Sequence, residues 1–582
     1  MRRLALLALA LGAVFLPSAS SATGREKPNL QGAVLKRIGN PAKLSAGAKA
    51  WLLGPGTRLG KVGPRGPQGS GGRAAGANGA AARGASVSRE TQASFTAAAV
   101  AFGGNVDAAN PNEDVASGQS ETAIGATTTA AVLTAWNDVS GFLIADSTSL
   151  RASLTGIGYS KDGGLHFSDL IGLPNPNPQQ QWFGDPAVVA LDATHFAVAS
   201  LYLPSLQACS APQDVAQLTI AVSIGTVSSD GSTVTFGNPV RVSDAGNLCS
   251  LFGSNPDPNV AFLDKDAIAY DPTSRTLAVS FTRFFLGVGG QSGNGEIDVA
   301  RAHLRSDPAN LHPNDFNTAV VWSEEPFCTS GVVSSEAARC GAEDEGAYVS
   351  VASGGATYVA WERNWITNLF DGDPYVYIHA ARIPAAASAP DRGGPANPVV
   401  VSQGQANANA DGGVKSLDST TIPGFNRSIG QDFPRIAVNG VTSKVIVEWN
   451  DGSHHPLGDI FLRALSPNLT GGVIQQVNGD SDFTLHFLPA VSVRSDGAVC
   501  SSWYDRRASG PDSALTDYEG DCGSPTGTDF RITTGVTDWT NTGSLIIPNF
   551  GDYTDNASAG TATYFTWSDG RIGIPQPFVA TH

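Results

Sequence analysis

Short apolar runs punctuated by Gly and Pro follow one another along the chain, and the only long apolar stretch is Leu4 to Leu16. Runs of this length bounded by turn residues predict strands rather than helices. One pattern of such runs occurs seven times. Each copy opens on polar or acidic residues, continues as a short strand of small and apolar residues, turns, and resumes as a second strand ending near Trp-x-Asp or Trp-x-Arg. The openings are Gln119-Ser120-Glu121, Phe183-Gly184-Asp185-Pro186, Asp264-Lys265-Asp266, Glu343-Asp344-Glu345, Gln431-Asp432-Phe433-Pro434, Phe487-Leu488-Pro489 and Gly551-Asp552-Tyr553. Second strands end at Asp138, Tyr202, Arg283, Arg363, Asp451, Asp505 and Asp569.

Successive copies lie 56 to 88 residues apart, room for a four-stranded antiparallel sheet and its loops. A unit of that size repeated around a ring is a blade, so the expected fold is an all-β propeller of seven blades, or six if one copy is an insertion. Only Ile572 to His582 follow the last second strand. A strand from near Ala93 to Phe102 is therefore expected to complete the last blade and close the ring, which removes a sheet edge. Trp136, Trp361, Trp449, Trp503 and Trp567 hold one repeat position and are expected to pack between blades.

Composition adds limits. The chain has 582 residues, 67 Gly, 35 Pro and 15% charged residues, which excludes disorder, a coiled coil and a helical bundle. Fourteen of the 36 Lys and Arg, but only two of the 52 Asp and Glu, lie in residues 1 to 90, leaving residues 91 to 582 with a net charge of −28. Such a body repels nucleic acid and anionic membranes. The basic head suits an acidic surface or the chain's own body.

Arg2 and Arg3, the apolar run, and small residues from Ser18 to Ala22 are in the order of a secretory signal peptide, residues 1–22. Residues 23–90, rich in Gly, Ala, Pro and Arg, read as a flexible basic tether. The propeller occupies 91–582. Export, to the extracellular space or a periplasm, fits six cysteines in neighbouring pairs: Cys209 with Cys249, Cys328 with Cys340, and Cys500 with Cys522. No later stretch is apolar enough to span a membrane, and a soluble monomer is expected. No zinc motif is present, and the adjacent His454 and His455 lie in an expected turn. No cofactor is expected. Asp264-x-Asp266, Asp371-x-Asp373 and Asp480-x-Asp482 are oxygen-rich pairs suited to a structural calcium, which stays open.

Ser160-Lys161-Asp162-Gly163-Gly164-Leu165-His166-Phe167 is similar to the Asp-box, Ser-x-Asp-x-Gly-x-x-Trp, with Phe in the Trp position, and Ser228 to Phe236 is a degenerate second copy. With the Trp503-to-Arg507 run and the Gly551-Asp552-Tyr553 opening, the chain resembles the sialidase (neuraminidase) superfamily over residues 95 to 582. In that family Asp-boxes sit on the rim, which implies a structural role for Asp162. Sialidases share an Arg-Ile-Pro near the first inner strand, where this chain has Glu121-Thr122-Ala123-Ile124.

Strand starts and neighbouring strand ends emerge on one face of an antiparallel blade, so the charged corners are expected to meet at one mouth. Sialidases use a Tyr nucleophile. The resemblance and the repeat positions together imply Tyr553 as nucleophile, Glu345 as its base and Asp138 as acid/base. Arg283, Arg363, Arg506, Asp185 and Asp552 are the expected substrate contacts, since guanidinium forks hold carboxylates and carboxylates accept hydroxyls. The expected function is a sialidase-like propeller that binds an extracellular glycan or glycoconjugate and hydrolyses it. A non-catalytic glycan- or protein-binding scaffold is the alternative.

Overall fold

The computed structural model describes residues 33, 34, 37, 104–109, 118–139, 153–177, 180–205, 209, 214–257, 260–286, 295–323, 343–365, 375–386, 398–403, 413–417, 420–424, 433–452, 457–480, 484–507, 514–544 and 550–582. Cys328, Cys340, His454, His455, Asp371, Asp373 and the signal peptide lie outside them.

Seven separate antiparallel sheets form seven blades, so the six-bladed alternative is excluded. The inner strands are Gln119–Ala126, Ala187–Ala190, Ala261–Asp271, Glu343–Val351, Arg435–Val438, His486–Val493 and Asp555–Ala559; they number blades 1 to 7 below. Ala, Gly and Ser recur in them because seven backbones must approach one axis. Second strands such as Val132–Asp138, Val445–Asp451 and Val499–Asp505 are buried along their whole length, since each packs against a blade on either side. All five repeat tryptophans are at most 1% exposed.

Blade 7 is closed by the N-terminal side of the chain. Val106–Asp107 is its outermost strand, with Val106 opposite Val579 and Asp107 opposite Phe578. The closing strand thus falls after the expected segment at 93–102, which lies outside the described residues. Two of the expected disulfides are present, Cys209–Cys249 and Cys500–Cys522.

The inner strands share a distortion. Their register with the second strand breaks between Ser120 and Ala123, Asp264 and Ala267, Glu345 and Tyr348, and Phe487 and Ala490. The first inserted residue is left-handed each time, with φ of 53° at Glu121, 59° at Lys265, 69° at Gly346 and 50° at Leu488. Asp185 of blade 2 has φ of 53° as well. Non-glycine residues adopt this conformation at a cost of order 1–3 kcal/mol. The bulge re-aims the side chain that follows the strand start, which is how Glu121 and Lys265 reach the axis.

The turn at Ser160–Phe167 lies on the face opposite the mouth. Ser160 Oγ donates to Asp162 Oδ1 at 2.8 Å, and the Gly164 and His166 amides donate to Ser160 Oγ at 2.9 Å and Asp162 Oδ1 at 3.0 Å. At residues 228–232 the same bonds recur, from Ser228 Oγ to Asp230 at 2.6 Å and from the Ser232 amide to Ser228 Oγ at 3.1 Å.

Candidate functional site at the axial mouth

The charged strand starts do meet at the axis, but they meet as a closed hub. At its centre is Lys265, 4% exposed, whose ammonium lies 2.5 Å from Asp552 Oδ2 and 4.7 Å above the Phe433 ring. Burial alone would lower the Lys265 pKa; the carboxylates of Asp552, Asp264, Glu345 and Glu121 outweigh it and raise the pKa well above the ordinary lysine value. Glu121 ties three blades together. Its Oε1 accepts the Asp552 amide at 3.2 Å and its Oε2 accepts Asn137 Nδ2, whose Oδ1 accepts the Asp185 amide at 2.7 Å.

Arg435, 3% exposed, fills the next sector. Its Nε donates to the Pro489 carbonyl at 2.9 Å and its Nη2 to the Thr554 carbonyl at 3.2 Å, while its plane lies 4.0 Å from the Tyr348 ring centre and 5.6 Å from that of Tyr553. The aromatic faces here are therefore covered by the protein's own cations. Tyr348 donates to Asp555 Oδ1 at 3.1 Å. Burial pushes the Asp555 carboxyl up to about 6, against the amide of Ile124, the guanidinium of Arg435 and the Tyr348 hydroxyl, which lower it.

A small cavity at the hub is lined by Ala123, Pro186, Ala187, Lys265, Asp266, Gly346, Ala347, Tyr348, Phe433, Arg435 and Tyr553. It offers about 20 Å³ to the centre of a water-sized sphere, enough for roughly one water. Asp266 borders it at 6% exposure, with neither carboxyl oxygen hydrogen-bonded. Burial, then the neighbouring Asp185 and Asp264, raise its pKa well above the ordinary carboxylate value.

Of the eight candidate residues, only Tyr553 lines this cavity. Tyr553 is 8% exposed and its hydroxyl donates to the Pro186 carbonyl at 3.0 Å. Burial, followed by Asp185, Glu121 and Asp266, pushes its phenol pKa well above 10, which opposes formation of a phenolate nucleophile. Glu345 and Asp552 serve the Lys265 charge, and Asp185 adjoins Tyr553 and Asp266. Asp138 sits opposite Gln119 at the end of a second strand, 5% exposed and outside the cavity lining.

None of the three expected arginines is among the residues lining this cavity. Arg283 is held by Asp298 Oδ2 at 2.8 Å, Ser243 Oγ at 2.8 Å, the Asp244 carbonyl at 2.9 Å and Glu296 at 3.6 Å. Arg363 lies 5.6 Å from the Trp322 ring centre, and Arg363 and Arg506 are each 2% exposed. The reason is radial: second strands stand one strand farther from the axis than inner strands, so Arg283 and Arg363 at their ends meet the neighbouring blade.

Strand-end motifs instead form internal clips. Trp503 Nε1 donates to Asp505 Oδ2 at 2.9 Å, and Asp505 also accepts the Arg507 amide at 2.7 Å and Arg507 Nε at 2.9 Å. Blade 7 repeats this with Trp567, Asp569 and Arg571, at 2.8 Å from Trp567 Nε1 and 2.9 Å from both the Arg571 amide and its Nε. Beside the blade 6 clip, His486 is fully buried. Its Nδ1 faces the Gly458 carbonyl at 3.0 Å, and its Nε2 faces Asp480 Oδ1 at 3.2 Å and Asp505 Oδ2 at 3.3 Å. Both ring nitrogens meet acceptors, so the ring carries both protons. Burial would lower the His486 pKa, but Asp505 and Asp480 raise it to about 10.

Sequence reasoning missed Lys265 as a partner for the hub, and Arg435, Tyr348 and Phe433 altogether as site residues. Two signals were present: Lys265 is the only cation in the seven openings, and Arg435 begins an otherwise apolar inner strand. Among the described residues no group of His, Cys, Asp and Glu is arranged to hold a metal.

No family model matches the chain, and no curated protein matches it. Solved structures similar to it include a protein of unknown function from Dyadobacter fermentans, at 11% identity and a TM-score of 0.38, covering 83% of this chain and 98% of that one. Another is the sialidase of Trypanosoma rangeli, at 12% identity and a TM-score of 0.35, covering 69% of this chain and 55% of that one. A third is the Penicillium chrysogenum α-L-arabinanase complexed with arabinobiose, at 11% and 0.37, covering 76% and 99%. The fold observed is the expected all-β propeller of seven blades, established by the strand pairing of its sheets.

Proposed function

We propose that this chain is an exported propeller that binds an extracellular glycan or glycoconjugate without hydrolysing it at the axis. The observation that carries this reading is the closed hub: Tyr553 donates its hydroxyl to Pro186 beside a cavity of about 20 Å³, where a sugar ring has no room. Ligand contact then belongs to the mouth around the hub. All seven first-to-second strand turns are short, as from Asp271 to Thr276 and from Ala559 to Ala562, whereas long connections join strand ends at the mouth, as between Phe285 and Gly295 and between Ser323 and Glu343. Loops from several blades converging on one face are the usual place for recognition. The acidic body suits hydroxyl-rich ligands, because carboxylates accept hydrogen bonds from hydroxyls. The leader-like N-terminus and two disulfides support export.

The test is a glycan array with the purified protein, followed by titration calorimetry on any hit and incubation of the same glycan with protein. Binding with the glycan recovered intact supports the reading. Release of a monosaccharide refutes it and favours the hydrolase reading, whose one supporting observation is that Tyr553 stands among Asp185, Glu121 and Asp266.

A further inference from the structure

Within the basic N-terminal segment three residues are described, Ala33, Val34 and Arg37. All three are helical, and Arg37 Nη1 donates to the Ala33 carbonyl at 3.3 Å. Val34 is 0% exposed and belongs to the same apolar cluster as Val139 and Leu154 of blade 1, Phe183 and Leu203 of blade 2, and Phe262 of blade 3. A valine 85 positions before the first strand of blade 1 is thus core to the propeller. Buried apolar side chains at such a distance mark docking, since a free tether leaves its side chains in water. Charge acts in the same direction: residues 23 to 90 carry 12 basic and two acidic groups, and residues 91 to 582 are net −28. Attraction of that kind brings a segment to a surface, and an apolar anchor holds it there.

We propose that the basic N-terminal segment is an intramolecular ligand of the propeller, with Val34 as its anchor in the apolar seam of blades 1 to 3. The seam is then covered by the chain's own segment, and cutting the Gly-rich stretch between Val34 and the first blade leaves a fragment that stays bound without a covalent link.

The experiment uses the full exported chain with a site-specific protease sequence inserted after Gly72, cut and then passed over a size-exclusion column at low salt. The N-terminal fragment is expected to elute with the body, to leave more readily in 1 M NaCl, and to separate at low salt in Val34→Asp. Val34→Ala, the milder variant, is expected to weaken retention about tenfold, from the two methyl groups lost. The proposal is overturned if the cut wild-type fragment elutes separately at low salt, or if both Val34 variants retain it as wild type does.

Discussion

Replacing Lys265 with Met removes the charge at the centre of the hub and keeps most of its volume. Lys265 is 4% exposed, Asp552 is 0% exposed, and Glu121, Asp264 and Glu345 add their charges. Taking one partner from a buried pair leaves the other uncompensated, at a cost of about 3–5 kcal/mol. We expect Lys265→Met to lower the unfolding free energy by that amount at pH 7.5, measured by urea denaturation with tryptophan fluorescence. The folded-state pKa of Lys265 is raised, so its contribution is complete below the unfolded value near ~10.4 and fades only as pH rises beyond it. In the variant the orphaned carboxylates have raised pKa values and take up protons on acidification, so the deficit should shrink between pH 7.5 and pH 5. Lys265→Met/Asp552→Asn, with both charges gone, should recover about half of the loss or more. A single variant within about 1 kcal/mol of wild type, a deficit independent of pH, or a double variant no better than the single would refute the reasoning.

His486→Gln should cost about 3 kcal/mol at pH 6, because it uncovers Asp480 and Asp505 in a fully buried site. The imidazolium pKa is raised from 6.5 to about 10, so its contribution is whole below pH 6.5 and declines through pH 10; urea titrations at pH 6, 8 and 10 should show the variant and wild type converging. Gly346→Ala places a Cβ 1.9 Å from Phe433 Cδ1 at a φ of +69°, and should destabilise by about 3 kcal/mol or more in a thermal melt. Asp569→Ala strands Trp567 Nε1 and takes the carboxylate from Arg571, which keeps Thr534 and Asn105; a loss of about 2–4 kcal/mol in urea is expected, with a shift in tryptophan fluorescence.

The repeat was legible because its constraint is geometric. An inner strand has to bring small residues to a crowded axis and a second strand has to be apolar on both faces, and both demands leave marks in composition. The openings at Gln119, Glu343 and Phe487 consequently fall at or within one residue of observed inner strands. The meaning of the charged corners was less visible. Whether Glu121 and Asp552 line an open pocket or neutralise a lysine depends on where Lys265 points, and that is set by a bulge with φ of 59° that no residue pattern announces. Arg283 reads as an anion holder until Asp298 and Ser243, 15 and 40 residues away, are seen to hold it. Val34 carried no signal, because one valine in a Gly- and Ala-rich stretch has no periodic context.

The closed hub is tested most directly by turnover. Wild type and Tyr553→Phe should be incubated with fluorogenic sialosides and arabinosides, with melting temperature followed in parallel. The account predicts no release of fluorophore by either protein, and a small drop in melting temperature for Tyr553→Phe from the lost bond to Pro186. Turnover by wild type that disappears in a fully folded Tyr553→Phe would contradict it.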